Sequence, residues 1–279
     1  MFGQEMKKMI KNPISLVAVI SSVLLLLSGT VYRSGITAEE YSVFDFMLSK
    51  DRKALLRESG LQSYDIILRG VGGYYHMFLP ILASVPFTAV MCGEKKNNNT
   101  RFEIVRVGKK RYAWGKGFAS AVTGGCIALT AYLIFCGVVL MIFPHGISEI
   151  NRIPNEYLIE KNTICRFMMN HMSLAGMGLL KTGRMFLYGA FRAMPAYGMS
   201  VVIRNRYLLL TVPFTFYFLL EKVAEKQGVF FWHELLPNRL GDLYELQFGK
   251  LLLIFGGTVL ILLAFYRIGL ERKCDCGDS

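Results

Sequence analysis

The sequence predicts an all-α fold, a polytopic membrane protein of six transmembrane helices with an N-terminal interfacial helix and amphipathic outer helices. Six apolar runs of spanning length carry that reading, at about 13–31, 74–92, 118–143, 185–203, 207–223 and 251–268. With a rise of about 1.5 Å per residue, roughly 18 residues cross most of a ~30 Å hydrocarbon core. Charge is the second observation. Segments 1–12, 93–117, 204–206 and 267–279 hold 16 Lys and Arg against 6 Asp and Glu, whereas 32–73, 144–181 and 221–250 hold 14 against 14. Cytoplasmic loops carry the Lys/Arg excess, so both termini are expected inside. Third, no stretch between the runs has the makeup of a separate soluble domain. Residues 1–279 are therefore read as one transmembrane domain, and the net charge of +12 reports topology rather than a nucleic-acid-binding face.

The elements follow in chain order. Met1, Phe2, Met6, Met9 and Ile10 alternate with Lys7, Lys8 and Lys11 at helical spacing. They predict a short amphipathic helix on the cytoplasmic leaflet, with Pro13 marking the turn into the membrane; a frayed basic terminus is the plainer alternative. The first run is read as an uncleaved span, since apolar character continues through Val31 and Tyr32 and Thr30 stands where a lipid-bearing Cys would be needed. In the outer loop 32–73, Thr37 and Glu40 have capping-box spacing ahead of Tyr41, Phe44, Met47 and Leu48, which recur as one helical face. The outer insertion 144–181 predicts a second helix around 163–175, with Ile164, Phe167, Met168, His171 and Met172 as its stripe.

The loop 93–117 between spans two and three has a more specific pattern. Asn97 to Asn99 break the chain, and Thr100-Arg101-Phe102-Glu103 has capping-box spacing. A helix over about 101–107 should stop at Gly108, offering Phe102, Val105 and Val107 as apolar contacts flanked by Arg101, Glu103 and Arg106. Alternatively, Lys109, Lys110, Arg111 and Trp114 simply grip anionic headgroups, which accounts for the basic tail of the loop and leaves the apolar helix before it unexplained. Arg192 stands about seven residues inside the fourth run. At that depth it either snorkels, pairs structurally, or lines a substrate path.

No catalytic signature is present. The chain has no G-x-x-x-x-G-K-[ST] loop, no G-x-S-x-G elbow and no clustered acidic pair in the runs. His233-Glu234 starts a zinc-protease pattern that fails at Pro237, and the six cysteines are too scattered for a disulfide framework or a closed metal site. Hence no catalytic residue and no metal are assigned. If the chain does energised work, the nucleotide chemistry belongs to a partner.

With six spans, both ends inside, an amphipathic N-terminal helix and a short helix between spans two and three, the chain resembles the membrane subunit of type-2 ATP-binding cassette exporters. RMFLYGAFRAMPAYGMSVVIRNRYLLLTVPFTFYFLL (184–220) is similar to the fourth and fifth spans of small bacterial permeases of that family, and TRFEIVRVGKKRYAWGKGFASAVTGG (100–125) to their coupling helix and third span. The resemblance implies a plasma-membrane permease, dimeric with a second copy or a paralogue, joined to separate cassette ATPase subunits that bind ATP and Mg while this chain binds no cofactor. Thr100, Arg101, Phe102, Glu103, Val105 and Arg106 would form the coupling helix, and a lipid, peptide or hydrophobic drug would be exported. The outer loops are longer than the family's minimal connections. A non-transporting anchor or immunity protein and a membrane-embedded enzyme are the competing classes; the first gives the 93–107 region no role, and the second has too few polar residues in the spans to build a site.

Overall fold

The computed structural model describes residues 2–34, 39–69, 74–96, 99–146, 173–200, 203 and 205–227. These residues are mostly helical. α1 (Phe2–Ile10) leads into α2 (Pro13–Leu27) through a 64° bend. The bend is chemically specified, because the Asn12 side chain accepts from the Ile14 N–H at 3.1 Å and Pro13, at the first helical position, needs no hydrogen-bond acceptor. α2 turns Leu16, Val17, Ile20 and Leu24 outward while burying Ser15, Ala18 and Ser22. That inverts the pattern of a water-soluble helix and suits an apolar surrounding. Ser22 satisfies its hydroxyl within the helix by donating to the Ala18 carbonyl at 2.7 Å.

Two corrections fall on the segment after α2. The helix stops at Leu27, and Thr30–Arg33 (β1) pairs antiparallel with Glu40–Ser42 (β2), so Val31 and Tyr32 belong to a hairpin rather than to the end of a span. The expected helix from Thr37 and Glu40 starts later: Glu40 and Tyr41 lie in β2, and α3 (Val43–Leu48) is opened by a capping box of Ser42 and Asp45. Asp45 Oδ2 accepts from the Ser42 N–H at 2.6 Å and from its hydroxyl at 2.8 Å. Val43 and Phe46 are the residues α3 buries, with Met47 and Leu48 exposed. Phe46 meets Phe143 at 4.9 Å between ring centroids.

α4 (Arg52–Ser59) and α5 (Ser63–Arg69) complete a cap over one end of the bundle. α4 ends at Gly60, whose φ of 58° gives the left-handed stop. Arg52 donates to the Ile142 carbonyl at 2.6 Å, placing a cation on the unpaired end of α8.

The long helices are α6 (Tyr75–Lys96), α8 (Lys109–Ile142), α9 (Leu174–Met199) and α10 (Arg206–Gln227), with the short α7 (Asn99–Val107) between α6 and α8. Among the described residues two helices are long and apolar enough to cross a membrane, α6 over Tyr75–Glu94 and α8; the bent pair α1–α2 makes a third if it acts as one span. Pro80 and Pro86 lie within α6, Pro195 within α9 and Pro213 within α10. The sixth apolar run, Cys165, Cys274, Cys276 and most of the expected helix at 163–175 lie outside the described residues, though Ser173 caps α9 by accepting from the Gly176 N–H at 3.2 Å.

α8 packs on α9 through backbone contact. A Cβ at Gly124 would sit 2.5 Å from the Ala193 Cβ, and one at Gly189 would sit 2.5 Å from the Ala128 Cβ and 2.6 Å from the Gly124 carbonyl. The two helices thus interlock through Gly124/Ala128 and Gly189/Ala193, small residues one turn apart on each. Around this seam the core of the described residues has two large clusters and a small third one of Leu68 and Met177. Phe46, Tyr75, Leu79, Tyr132 and Phe135 mark the one under the cap. Met9, Phe87, Met91, Tyr112 and Tyr197 mark the one nearest α1.

Candidate functional site

Five charged side chains from four helices meet where α1, α6, α7 and α8 converge. Lys116, fully buried in the second turn or so of α8, pairs with Glu5 of α1 and Glu94 of α6, and its Nζ is 3.7 Å from Glu103 of α7. Lys8 donates to Glu5 at 3.0 Å, to Glu94 at 3.0 Å and to Glu103 at 3.1 Å. Three carboxylates against two ammonium groups leave one excess negative charge. Their ligand atoms lie within 4.8 Å of one another, a spacing that suits a metal ion, but the two ammonium groups already fill the role of the cation there.

Electrostatics favour the charged forms of Glu5 and Lys8. Burial by itself would push the Glu5 carboxyl up, but hydrogen bonds and charge from Lys116 and Lys8 outweigh it and hold the group below the ordinary carboxylate value. For Lys8 burial acts downward, and the bonds to Glu5, Glu94 and Glu103 overcome it, holding the ammonium well above the ordinary lysine value.

α7 sits on this cluster with its other face open. Phe102 is 74% exposed and Val105 86%, whereas Ile104 packs inward against the core cluster that includes Met9, Met91 and Tyr112. The helix ends where the sequence predicts: Gly108 has φ of 87° and its N–H donates to the Ile104 carbonyl at 2.9 Å. Its start differs. α7 begins at Asn99, one residue before the expected cap at Thr100, and Glu103 turns to Lys8 and Lys116 rather than back along its own helix. Arg106 is exposed beside Val105, and the side chains of Thr100 and Arg101 lie outside the described residues. The structure therefore joins Phe102, Val105 and Arg106 on one open surface and puts Glu103 on the opposite, anchored one.

Arg192 belongs to a second polar region, inside the bundle. It is 1% exposed, so it does not snorkel; its Nη2 donates to the Tyr188 hydroxyl at 3.0 Å and its guanidinium lies 5.0 Å from the Tyr188 ring centroid. The other face of Tyr188's surroundings is His76, 5.9 Å away between rings. Lys181, also buried, donates to the Leu68 carbonyl at the end of α5 at 3.0 Å.

Sequence reasoning missed both Lys116 and the α8/α9 seam. The seam had a signal, small residues four apart at Gly124/Ala128 and Gly189/Ala193. Lys116 had none, because its partners Glu5 and Glu94 are 111 and 22 residues away, on other helices. Comparison with family models, with curated proteins and with solved structures finds no match.

Proposed function

We propose that this chain is the membrane-spanning permease subunit of an ATP-binding cassette exporter, working as a pair of permease chains with a separate cassette ATPase. One observation carries the reading. α7 offers an apolar outer face, Phe102 and Val105, while its inner face is fastened through Glu103 to α1 and α8 and, through the same lysines, to α6. A helix built this way passes a push from a soluble partner to three helices at once. The Lys/Arg excess of 1–12 and 93–117 assigns that end of the bundle to the cytoplasm, where nucleotide is found. ATP and Mg belong to the partner, and the reading takes all six apolar runs of the sequence as spans, two of which, or three with the bent pair α1–α2, have the length and apolarity of a span among the described residues.

Burial of a residue the size of Phe is worth about 1.5–3 kcal/mol, whereas an exposed ion pair is worth about 0–1 kcal/mol. Phe102 is thus the anchor, and Arg106 orients the contact. Replacing Phe102 and Val105 together by Asp leaves membrane insertion and folding intact, since neither side chain is buried. Co-purification of the ATPase, or its substrate-stimulated hydrolysis, falls sharply. Normal capture and coupling by this variant, with disablement on neutralising Lys109, Lys110 and Arg111, would make the loop a lipid anchor and end the permease reading.

A further inference from the structure

We propose that the interior of the bundle between the start of α6 and the inward face of α9 is a binding site for the oxyanion headgroup, phosphate or carboxylate, of a membrane amphiphile. Lys181, Met185, Tyr188 and Arg192 recur at helical spacing and are all buried, forming one inward stripe on α9 with a cation at each end. About 17 Å of helix separates the two cations. Opposite the stripe, Tyr75 and His76 open α6, whose first turn carries the positive end of the helix dipole. His76 lies 5.9 Å from Tyr188 between ring centroids, and the Arg192 guanidinium lies 5.0 Å from the same Tyr188 ring.

The decisive feature is on α6. The Tyr75 hydroxyl and His76 Nδ1 are buried and have no hydrogen-bond partner, in residues that are 1% and 8% exposed. Unpaired buried polar groups destabilise a fold, so two neighbouring ones beside the Tyr188–Arg192 pair mark a place kept for a ligand. Both groups can donate: a phenol O–H and, in the tautomer with the proton on Nδ1, an imidazole N–H suit an oxyanion, whereas a quaternary ammonium has no hydrogen to give or lone pair to take. The ligand is an amphiphile because the site lies at the first turn of a helix long and apolar enough to cross a membrane, and the outer faces of α9 and α8 present Leu179, Leu187 and Met141 for an acyl chain. As a statement about cargo this rests on the permease reading; as a statement about binding it does not.

The test is calorimetric titration of the purified full chain in a neutral maltoside detergent, without ATPase. Dodecyl phosphate, dodecyltrimethylammonium and inorganic phosphate are the probes. Dodecyl phosphate binds at least about tenfold more tightly than either of the others, the scale expected of one hydrogen bond to a charged group. Tyr75→Phe and His76→Phe each weaken it about tenfold by the same reasoning, while thermal midpoints without ligand hold or rise, since an unpaired buried polar atom has been removed. Arg192→Gln loses binding and Arg192→Lys recovers part of it. A purely structural role for these residues predicts the opposite, lower stability with unchanged affinity. Equal binding of the cationic probe, or wild-type affinity in both phenylalanine variants, overturns the proposal; inorganic phosphate binding as tightly as the dodecyl ester overturns the amphiphile. Because the assay lacks ATPase, its failure leaves the Phe102 and Val105 test untouched, and the converse holds.

Discussion

Replacing Lys116 by Met tests whether the charge cluster is a structural clasp. The substitution keeps length and apolar stem and removes one ammonium, so the cluster passes from one excess negative charge to two. Lys116 is fully buried and touches Glu5 and Glu94, themselves nearly buried. Removing one partner from a buried pair costs about 3–5 kcal/mol, because the remaining charge is uncompensated. Lys8, with 45% of its side chain exposed, is the internal contrast: solvent screens it, and each of its pairs is worth about 0–1 kcal/mol. Unfolding is followed at neutral pH by helical circular dichroism in mixed micelles as denaturing detergent is titrated in. The pH dependence has a fixed sign. Glu5 has a depressed carboxyl in the folded state, so its contribution is present above the ordinary carboxylate range and is lost as pH falls through the folded value. Lys8 is raised, so its contribution is present below the ordinary lysine range and is lost at higher pH. Wild type is therefore most stable between those limits, and the deficit of Lys116→Met narrows on acidification as carboxylates take up protons. A deficit under about 1 kcal/mol, or one matched by Lys8→Met, refutes the clasp.

Two further outcomes bear on fold and orientation. Gly189→Ala drives a Cβ against Ala128 and the Gly124 carbonyl and costs about 1–3 kcal/mol, whereas Gly137→Ala, with nothing within 4 Å, is neutral or stabilising by up to about 1 kcal/mol; detergent unfolding separates them. An impermeant maleimide labels Cys165 in intact cells and reaches Cys274 and Cys276 only after permeabilisation, as the charge asymmetry requires.

What the sequence revealed was local. The stop of α7 at Gly108 and the bend at Pro13 were legible because each is decided by one residue's backbone preference. The α3 cap was misplaced for the same reason: T-x-x-E at 37–40 and S-x-x-D at 42–45 are both adequate signals five residues apart, and strand pairing with Tyr32, a non-local event, chose the second. Glu103 illustrates the limit. Its spacing from Thr100 suits a cap, and only the arrival of Lys8 from α1 and Lys116 from α8 gives it better partners. Arg192 was visible as a buried-cation problem, while its solution, Tyr188 one turn before it, was available in sequence and was passed over. Tyr75 and His76 gave no sign at all, since a missing hydrogen bond has no sequence pattern.

α8 has one more implication. It runs 34 residues, about 51 Å, without a proline, while α6, α9 and α10 each carry at least one within their length. Proline removes a backbone hydrogen bond and lets a helix flex, so α6 and α9, which pack on α8, carry a hinge that α8 lacks, while the Gly124-Gly125 pair in α8 is braced by Ala193 and Phe186 of α9 and α8 acts as a strut. Lys116 near its base and Tyr132, which donates to the Ile67 carbonyl under the cap, are then fixed points about 24 Å apart on one stiff rod. A pivot of about 5° at the base carries the upper point sideways by roughly 2 Å over that length. Leverage of this kind needs no chain of side-chain rearrangements between the two ends: the rod itself converts a small rotation below into a displacement above, and proline hinges lie in α6 and α9, which lean on it.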